Sequence, residues 1–219
     1  MRLQLRWHGQ DGVRLPVALW CPGLGYRMIS SGVAGGGIGP RGWVLNAQVP
    51  ASYSRMDPAV HVAELAADLG LVGEGVGLLT AASVSDVVQR EDNGIRVAAT
   101  VGMRVPTWAA APADPADPEL TATWQPGTIN IIVSVPVPLR DAAYVNAVMT
   151  ATEAKTQAVL EAGFRATGTA SDAICVAAPV AGAPAEFAGP RSLWGARIAR
   201  AVHSAVYASA LRCREGSPA

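Results

Sequence analysis

Phenylalanine is nearly missing from this chain, with two residues among 219, and cysteine and histidine are scarce at three each. Cys21, Cys175 and Cys213 are odd in number and share no metal-type spacing, so they read as reduced, structural thiols. His8, His61 and His203 lie far apart with no H-E-x-x-H pair, which leaves a helix-borne metal site unsupported. No metal is expected. Charge of either sign is also missing as an excess: the formal net charge is zero, and no basic run of five residues occurs. A phosphate backbone would find no electrostatic footprint, so no nucleic-acid partner is expected. Apolar tracts are broken by Gly, Pro or charge well before the roughly 18 residues a membrane span needs. Met1 opens onto an alternating strand instead of a signal-peptide core, and a soluble cytoplasmic protein without a membrane partner is expected.

What is present is apolar mass: half the residues are hydrophobic, enough to bury a core as a single domain over 1–219. Six tryptophans suit a core or a large planar ligand. Leu3, Leu5 and Trp7 alternate with polar residues up to Asp11-Gly12, and Val13, Leu15, Val17 and Leu19 alternate after it, which spells a β-hairpin. Gly35-Gly36-Gly37 marks a tight turn or close backbone approach, and it lacks the G-K-[ST] or G-x-G-x-x-G of a nucleotide loop. A strand follows at Trp43 to Val49. Asp57, Pro58 and Gly70 bracket a helix with Val60, Leu65 and Leu69 inward. Leu78 to Ala82 reads as a buried strand or its end, Ser83 to Gln89 as a short capped helix, and Ile95 to Met103 as a strand. Ala109 to Thr121, almost all Ala, Pro and Asp, reads as a surface loop. A last helix from Arg191 or Ser192 keeps Trp194, Ile198, Ala201, Val202, Ala205 and Ala208 on one face, and Glu215 to Ala219 should fray.

The stretch Gly127 to Ala177 reads as strand, helix, strand, with small polar residues at both changes of element. On the helix, Tyr144, Val148, Ala151, Thr152, Lys155, Val159 and Ala162 form one stripe that should be buried, and Glu153 lies opposite. A lysine on such a stripe either snorkels to the surface or projects into a polar pocket floored by the two junctions. With hairpin and helical connections both present, the expected fold is α+β, a layered sandwich of mixed, largely antiparallel β-sheet with packed helices.

Ser30, Ser31, Asn46, Thr80, Thr100, Thr128, Asn130, Thr167, Thr169, Ser171 and Asp172 all sit at strand ends. Such hydroxyls and amides can bind an amide-rich ligand, and an activated hydroxyl or water among them could cleave an acyl bond. Two routes are open. Thr169 or Ser30 is a nucleophile with Lys155 as base, or Asp172 or Glu153 activates water. Gly168 and the Gly127-Thr128 backbone would donate to the oxyanion. Ser31, Asn46, Thr80, Thr100, Thr128, Asn130 and Thr167 would hold substrate. The plain alternative is a turn whose hydroxyls bond their own backbone.

Ile29-Ser-Ser-Gly with the three following glycines, Trp43-Val-Leu-Asn46, Gly77-Leu-Leu-Thr-Ala-Ala82 and Ala99-Thr-Val-Gly102 occur in an order that resembles the adenosylcobinamide amidohydrolase family of corrinoid salvage. Gly127-Thr-Ile-Asn130, Ala151-Thr-Glu-Ala-Lys155 and Ala166-Thr-Gly-Thr-Ala-Ser-Asp172 extend the resemblance, which covers roughly Met28 to Ala210. It implies hydrolysis of the amide between the corrin propionyl side chain and aminopropanol. It implies a small-molecule corrinoid as substrate, with no catalytic cofactor. A non-catalytic corrinoid carrier or sensor is the alternative, and homo-oligomerisation is left open.

Overall fold

The computed structural model describes residues 1–110 and 127–215. Most of the Ala-Pro-Asp segment and the last four residues lie outside them. The hairpin forms as expected: β1 (Gln4–Gln10) and β2 (Val13–Trp20) pair antiparallel, with Asp11 and Gly12 at positive φ in the turn. β3 (Tyr26–Ser30) and β4 (Gly37–Pro40) follow, then β5 (Trp43–Gln48), α1 (Pro58–Asp68) and β6 (Gly75–Thr80). β7 (Val88–Asp92) and β8 (Ile95–Gly102) form a second hairpin. β9 (Thr128–Ser134), α2 (Asp141–Glu161) and β10 (Ala173–Pro179) make the strand-helix-strand unit, and α3 (Leu193–Glu215) closes the chain.

The strands make a four-stranded sheet, β1-β2-β5-β6, and a six-stranded sheet, β4-β3-β10-β9-β8-β7. β5 with β6 and β9 with β10 are parallel, and the other pairs are antiparallel. The fold is therefore the expected α+β sandwich. Its layers follow from the pleat, because alternate residues of a strand face opposite sides. Val17, Leu19, Leu45 and Ala47 pack on Val62, Leu65 and Ala66 of α1. Trp20, Val44, Val76 and Leu78, on the other face of the small sheet, meet Met28, Ala98, Ile132 and Cys175 of the large one. Ile129, Ile131, Val133, Ile174 and Val176 then face α2 and α3. The order is α1, small sheet, large sheet, α2 with α3.

Several elements depart from the sequence reading for identifiable reasons. Ser83 to Gln89 is a single 3-10 turn, Val84–Asp86, and then strand, because Val88 pairs with Ala99 along the edge of the large sheet. On α1 the inward positions are His61, Val62, Leu65 and Ala66, while Val60 is 52% exposed. Asp57 makes no side-chain cap and grips Arg55 instead, at 2.9 Å. On α2 the buried stripe is rotated from the expected one. It centres on Ala143, Ala147, Ala151, Ala154 and Ala158, and Thr152 is exposed. The helix packs on both the sheet and α3, and small side chains there allow close approach. Leu5 and Trp7 are half exposed, because β1 is an edge strand with little sheet opposite it.

The glycine run is a close backbone approach. A Cβ on Gly35 would stand 1.9 Å from the Gly75 carbonyl oxygen, and Ala34 and Gly77 exchange backbone bonds at 3.5 and 3.0 Å. This loop thus ties the large sheet to the edge of the small one. No helix among the described residues is long and apolar enough to cross a membrane.

Candidate functional site

β3 and β8 end, and β9 and β10 begin, at one rim of the large sheet, where β6 of the small sheet also ends. Between the sheets there lies a cavity of about 260 Å³ lined by Ser31, Val33, Val49, Tyr53, Pro58, Leu78 to Ala81, Thr128, Asn130, Ser171 and Ala173. Its polar wall is built from side chains in the inter-sheet register of their strands.

Asn46, Thr100 and Asn130 form a buried chain across the gap between sheets. The Asn130 carboxamide nitrogen donates to Asn46 Oδ1 at 2.8 Å and to the Leu79 carbonyl at 3.0 Å. Asn46 Nδ2 in turn donates to Thr100 Oγ1 at 2.9 Å. These contacts fix which way each amide points. One atom is left over: Asn130 Oδ1 is buried and has no partner among the described residues. An unsatisfied buried acceptor costs about 1–3 kcal/mol unless something donates to it, and Asn130 is in the cavity wall. Thr80 accepts from the Ala82 N–H at 3.0 Å, Thr128 and Ser171 share a hydroxyl contact of 2.9 Å, and Ser31 accepts from the Ile174 N–H at 3.1 Å.

Lys155 and its neighbours occupy the other face of the large sheet. Asp172 lies in register with Ile174 on the α2 side, and its carboxylate is fully engaged. One oxygen accepts from the Ile129 N–H at 3.1 Å and from Thr169 Oγ1 at 2.5 Å. The other accepts from Lys155 Nζ at 2.6 Å. The lysine therefore does not snorkel. It is buried and ends on the junctions, with an ion-pair partner supplied by the second of them. Gly168 is the floor of this contact: a Cβ there would stand 2.1 Å from Asp172 Oδ2 and 2.6 Å from Lys155 Nζ.

The pleat thus sorts the candidates into two groups. Asn46, Thr80, Thr100, Thr128, Asn130 and Ser30 belong between the sheets, and Lys155, Thr169 and Asp172 belong beneath α2. The structure does not bring Ser30 to Lys155, and Ser30 Oγ instead accepts from the Gly32 N–H at 2.9 Å. Glu153 is exposed on α2, two residues and about 200° around the helix from Lys155. Thr167 accepts from the Ala109 N–H at 2.8 Å and donates to the Thr107 carbonyl, serving its own loop. The Gly168 N–H is directed to the Thr107 carbonyl at 3.3 Å, so it is not a free oxyanion donor. The tryptophans go mainly to other tasks: Trp20 and Trp43 are core, Trp7 carries Arg14 on its face, and Trp194 carries Arg197.

Sequence reasoning passed over Tyr53 and saw in His61 only one of three scattered histidines. Tyr53 lines the cavity, and its hydroxyl is 3.0 Å from His61 Nδ1 with the rings stacked. No periodic pattern could place a loop tyrosine there.

A slot between two sheets, walled by hydroxyls and carboxamides and holding one unsatisfied amide oxygen, has the donor and acceptor set of a site for a polar, amide-bearing ligand. The chain matches the family model of adenosylcobinamide amidohydrolase over residues 5–218. An adenosylcobinamide amidohydrolase of Methanosarcina mazei is 32% identical over 152 residues, covering 69% of each chain. Another, from Halobacterium salinarum, is 40% identical over 118 residues, covering 52% of this chain and 49% of that protein. The chain belongs to the adenosylcobinamide amidohydrolase family.

Proposed function

We propose that this chain hydrolyses the aminopropanol amide of adenosylcobinamide in cobalamin salvage, giving adenosylcobyric acid and 1-amino-2-propanol, and that the amide-bearing arm enters the inter-sheet cavity. The observation that carries the reading is the Asn130 carbonyl oxygen, which a substrate amide N–H would satisfy. Size supports it. At about 260 Å³ the cavity falls below the roughly 300–1,000 Å³ of sites that engulf a drug-sized ligand. It suits the side-chain arm and leaves the corrin ring at the mouth, beside half-exposed Val33 and part-buried Tyr53. The corrinoid is substrate in this reading, recognised by shape and by its fringe of amides, and a cytoplasmic location goes with it. Asn46, Thr80, Thr100, Thr128, Asn130 and Ser31 form or support the polar wall, and water is the attacking group.

A second route to cleavage has its own observation. The 2.5 Å bond from Thr169 Oγ1 to Asp172 Oδ1 is the geometry of a hydroxyl beside a base, with Lys155 balancing the carboxylate. Mass spectrometry of the quenched protein separates the two: an acyl adduct on Thr169 supports the nucleophile, and its absence during turnover supports water. The function itself is tested by incubation with adenosylcobinamide and assay for free 1-amino-2-propanol. Binding without release would make the protein a corrinoid carrier. Asn130→Leu should lower kcat/KM about tenfold, the worth of one hydrogen bond to a neutral partner.

A further inference from the structure

Tyr53 belongs to the walls of two cavities at once. One is the inter-sheet slot. The other is an outer groove of about 330 Å³ lined by Gly9 to Asp11, Ser52 to Arg55, His61, Glu64, Leu65 and Asp68. Behind Tyr53, His61 is buried, and its Nδ1 lies 3.0 Å from the phenol oxygen. His8 stands edge-on to His61, with ring centroids 6.3 Å apart. The His8 Nε2 is held at 2.8 Å by the Gln48 carbonyl, so that nitrogen carries a proton. Among the described residues Tyr53 is the one tyrosine that lines the inter-sheet slot and no histidine lines it, so the slot reaches His61 through the Tyr53 hydroxyl.

We propose that Tyr53 is the acid–base residue of the hydrolysis and that it acts through His61. The inference rests on the amide-hydrolase reading above. As water adds to the amide carbonyl, its proton passes to the Tyr53 oxygen while the Tyr53 proton passes to His61 Nδ1. This leaves a tetrahedral oxyanion and an imidazolium. On collapse the carbonyl reforms and the C–N bond breaks, with its electron pair going to nitrogen. Tyr53 protonates that nitrogen and recovers a proton from His61. One water is consumed, one carboxylic acid and one amine are formed, and the pair ends as it began.

The electrostatics suit both partners. Burial holds the Tyr53 hydroxyl above the usual phenol range, so it keeps its proton. Burial, then Arg55 and then His8, hold His61 below the usual imidazole range, against the weaker pull of Glu64 and Asp57. Asp11 and Asp68 share the outer groove. His61 is thus neutral at pH 7 and able to accept.

The test is steady-state release of 1-amino-2-propanol from adenosylcobinamide by the full chain, its Tyr53→Phe variant and its His61→Gln variant, from pH 5 to 9. Phe keeps the ring stacked on His61 and removes only the hydroxyl. Tyr53→Phe should lower kcat about 100-fold or more, with KM within threefold. The unaltered protein should lose kcat on acidification below about pH 6.5, and His61→Gln should abolish that limb. If the unaltered protein turns over and Tyr53→Phe stays within threefold of its kcat, or changes KM alone, the inference fails and the hydrolase reading stands. If the unaltered protein releases no amine, both fail together.

Discussion

Both oxygens of the Asp172 carboxylate are occupied, by two backbone N–H groups, a hydroxyl and an ammonium drawn from β9, the Thr169 turn and α2. A carboxylate so engaged sets the position of the segment that carries it. Here that segment includes Ser171, whose hydroxyl meets Thr128 at the cavity wall. Removing one partner of a buried ion pair leaves the other uncompensated, at a cost of about 3–5 kcal/mol. Lys155→Met should therefore lower stability to urea by about that amount, and adding Asp172→Asn should restore part of it, since an amide oxygen still serves the backbone donors. Equal stability of the single and double variants would sink the clamp. His61 makes a residue-scale prediction of its own. Its folded pKa is depressed by burial, so the unfolded chain binds the proton first as pH falls. The stability is whole above about pH 6.5 and declines as acidification proceeds toward the lowered folded value. Unfolding midpoints measured from pH 8 to 5 should show this decline, and His61→Gln should flatten it.

At the scale of elements, α2 is defined by how little it carries on its buried side. Five alanines, with Tyr144, Thr150, Lys155 and Val159, face the sheet and α3. The lysine reaches Asp172 because the helix lies close, and the helix lies close because its neighbours are small. Ala151→Leu should overpack this contact and cost about 1–3 kcal/mol, seen as a lowered urea midpoint, while the same change at exposed Thr152 should be nearly silent. Gly168→Ala should do more harm than either, because its Cβ would fall between Asp172 and Lys155. The 3-10 turn at Val84–Asp86 shows the opposite influence, since sheet pairing overrides the helical reading of a local polar sequence.

For the molecule as a whole, the two sheets meet through an apolar interface that ends in a polar rim, and the candidate site is the place where that interface is unfinished. A ligand that donates to Asn130 and fills the slot would stabilise the folded chain in proportion to its binding. At a hundredfold excess over Kd, adenosylcobinamide should add about 2.7 kcal/mol, and Asn130→Leu should lose about half of that gain in a thermal shift assay run at the same concentration.

Much of this architecture is legible in order along the chain. The hairpin at Asp11-Gly12, the β9-α2-β10 unit, α3 and the polar residues at strand ends all follow from local periodicity and turn chemistry, which act over a few residues. The ordered motifs likewise carry the family. Which strand-end residues share a site does not follow, because their strand register decides it: one residue of shift moves a side chain from the slot between the sheets to the layer under α2. That alternation separated Ser30 from Lys155 and placed Asn130 with Asn46. The Tyr53–His61 contact likewise depends on a loop folding back over a helix face, a distance no spacing encodes. The sequence by itself determined most of the elements and the family, and only the tertiary structure decided the membership of the site, since hydrogen bonds of this kind join residues that are neighbours in space alone.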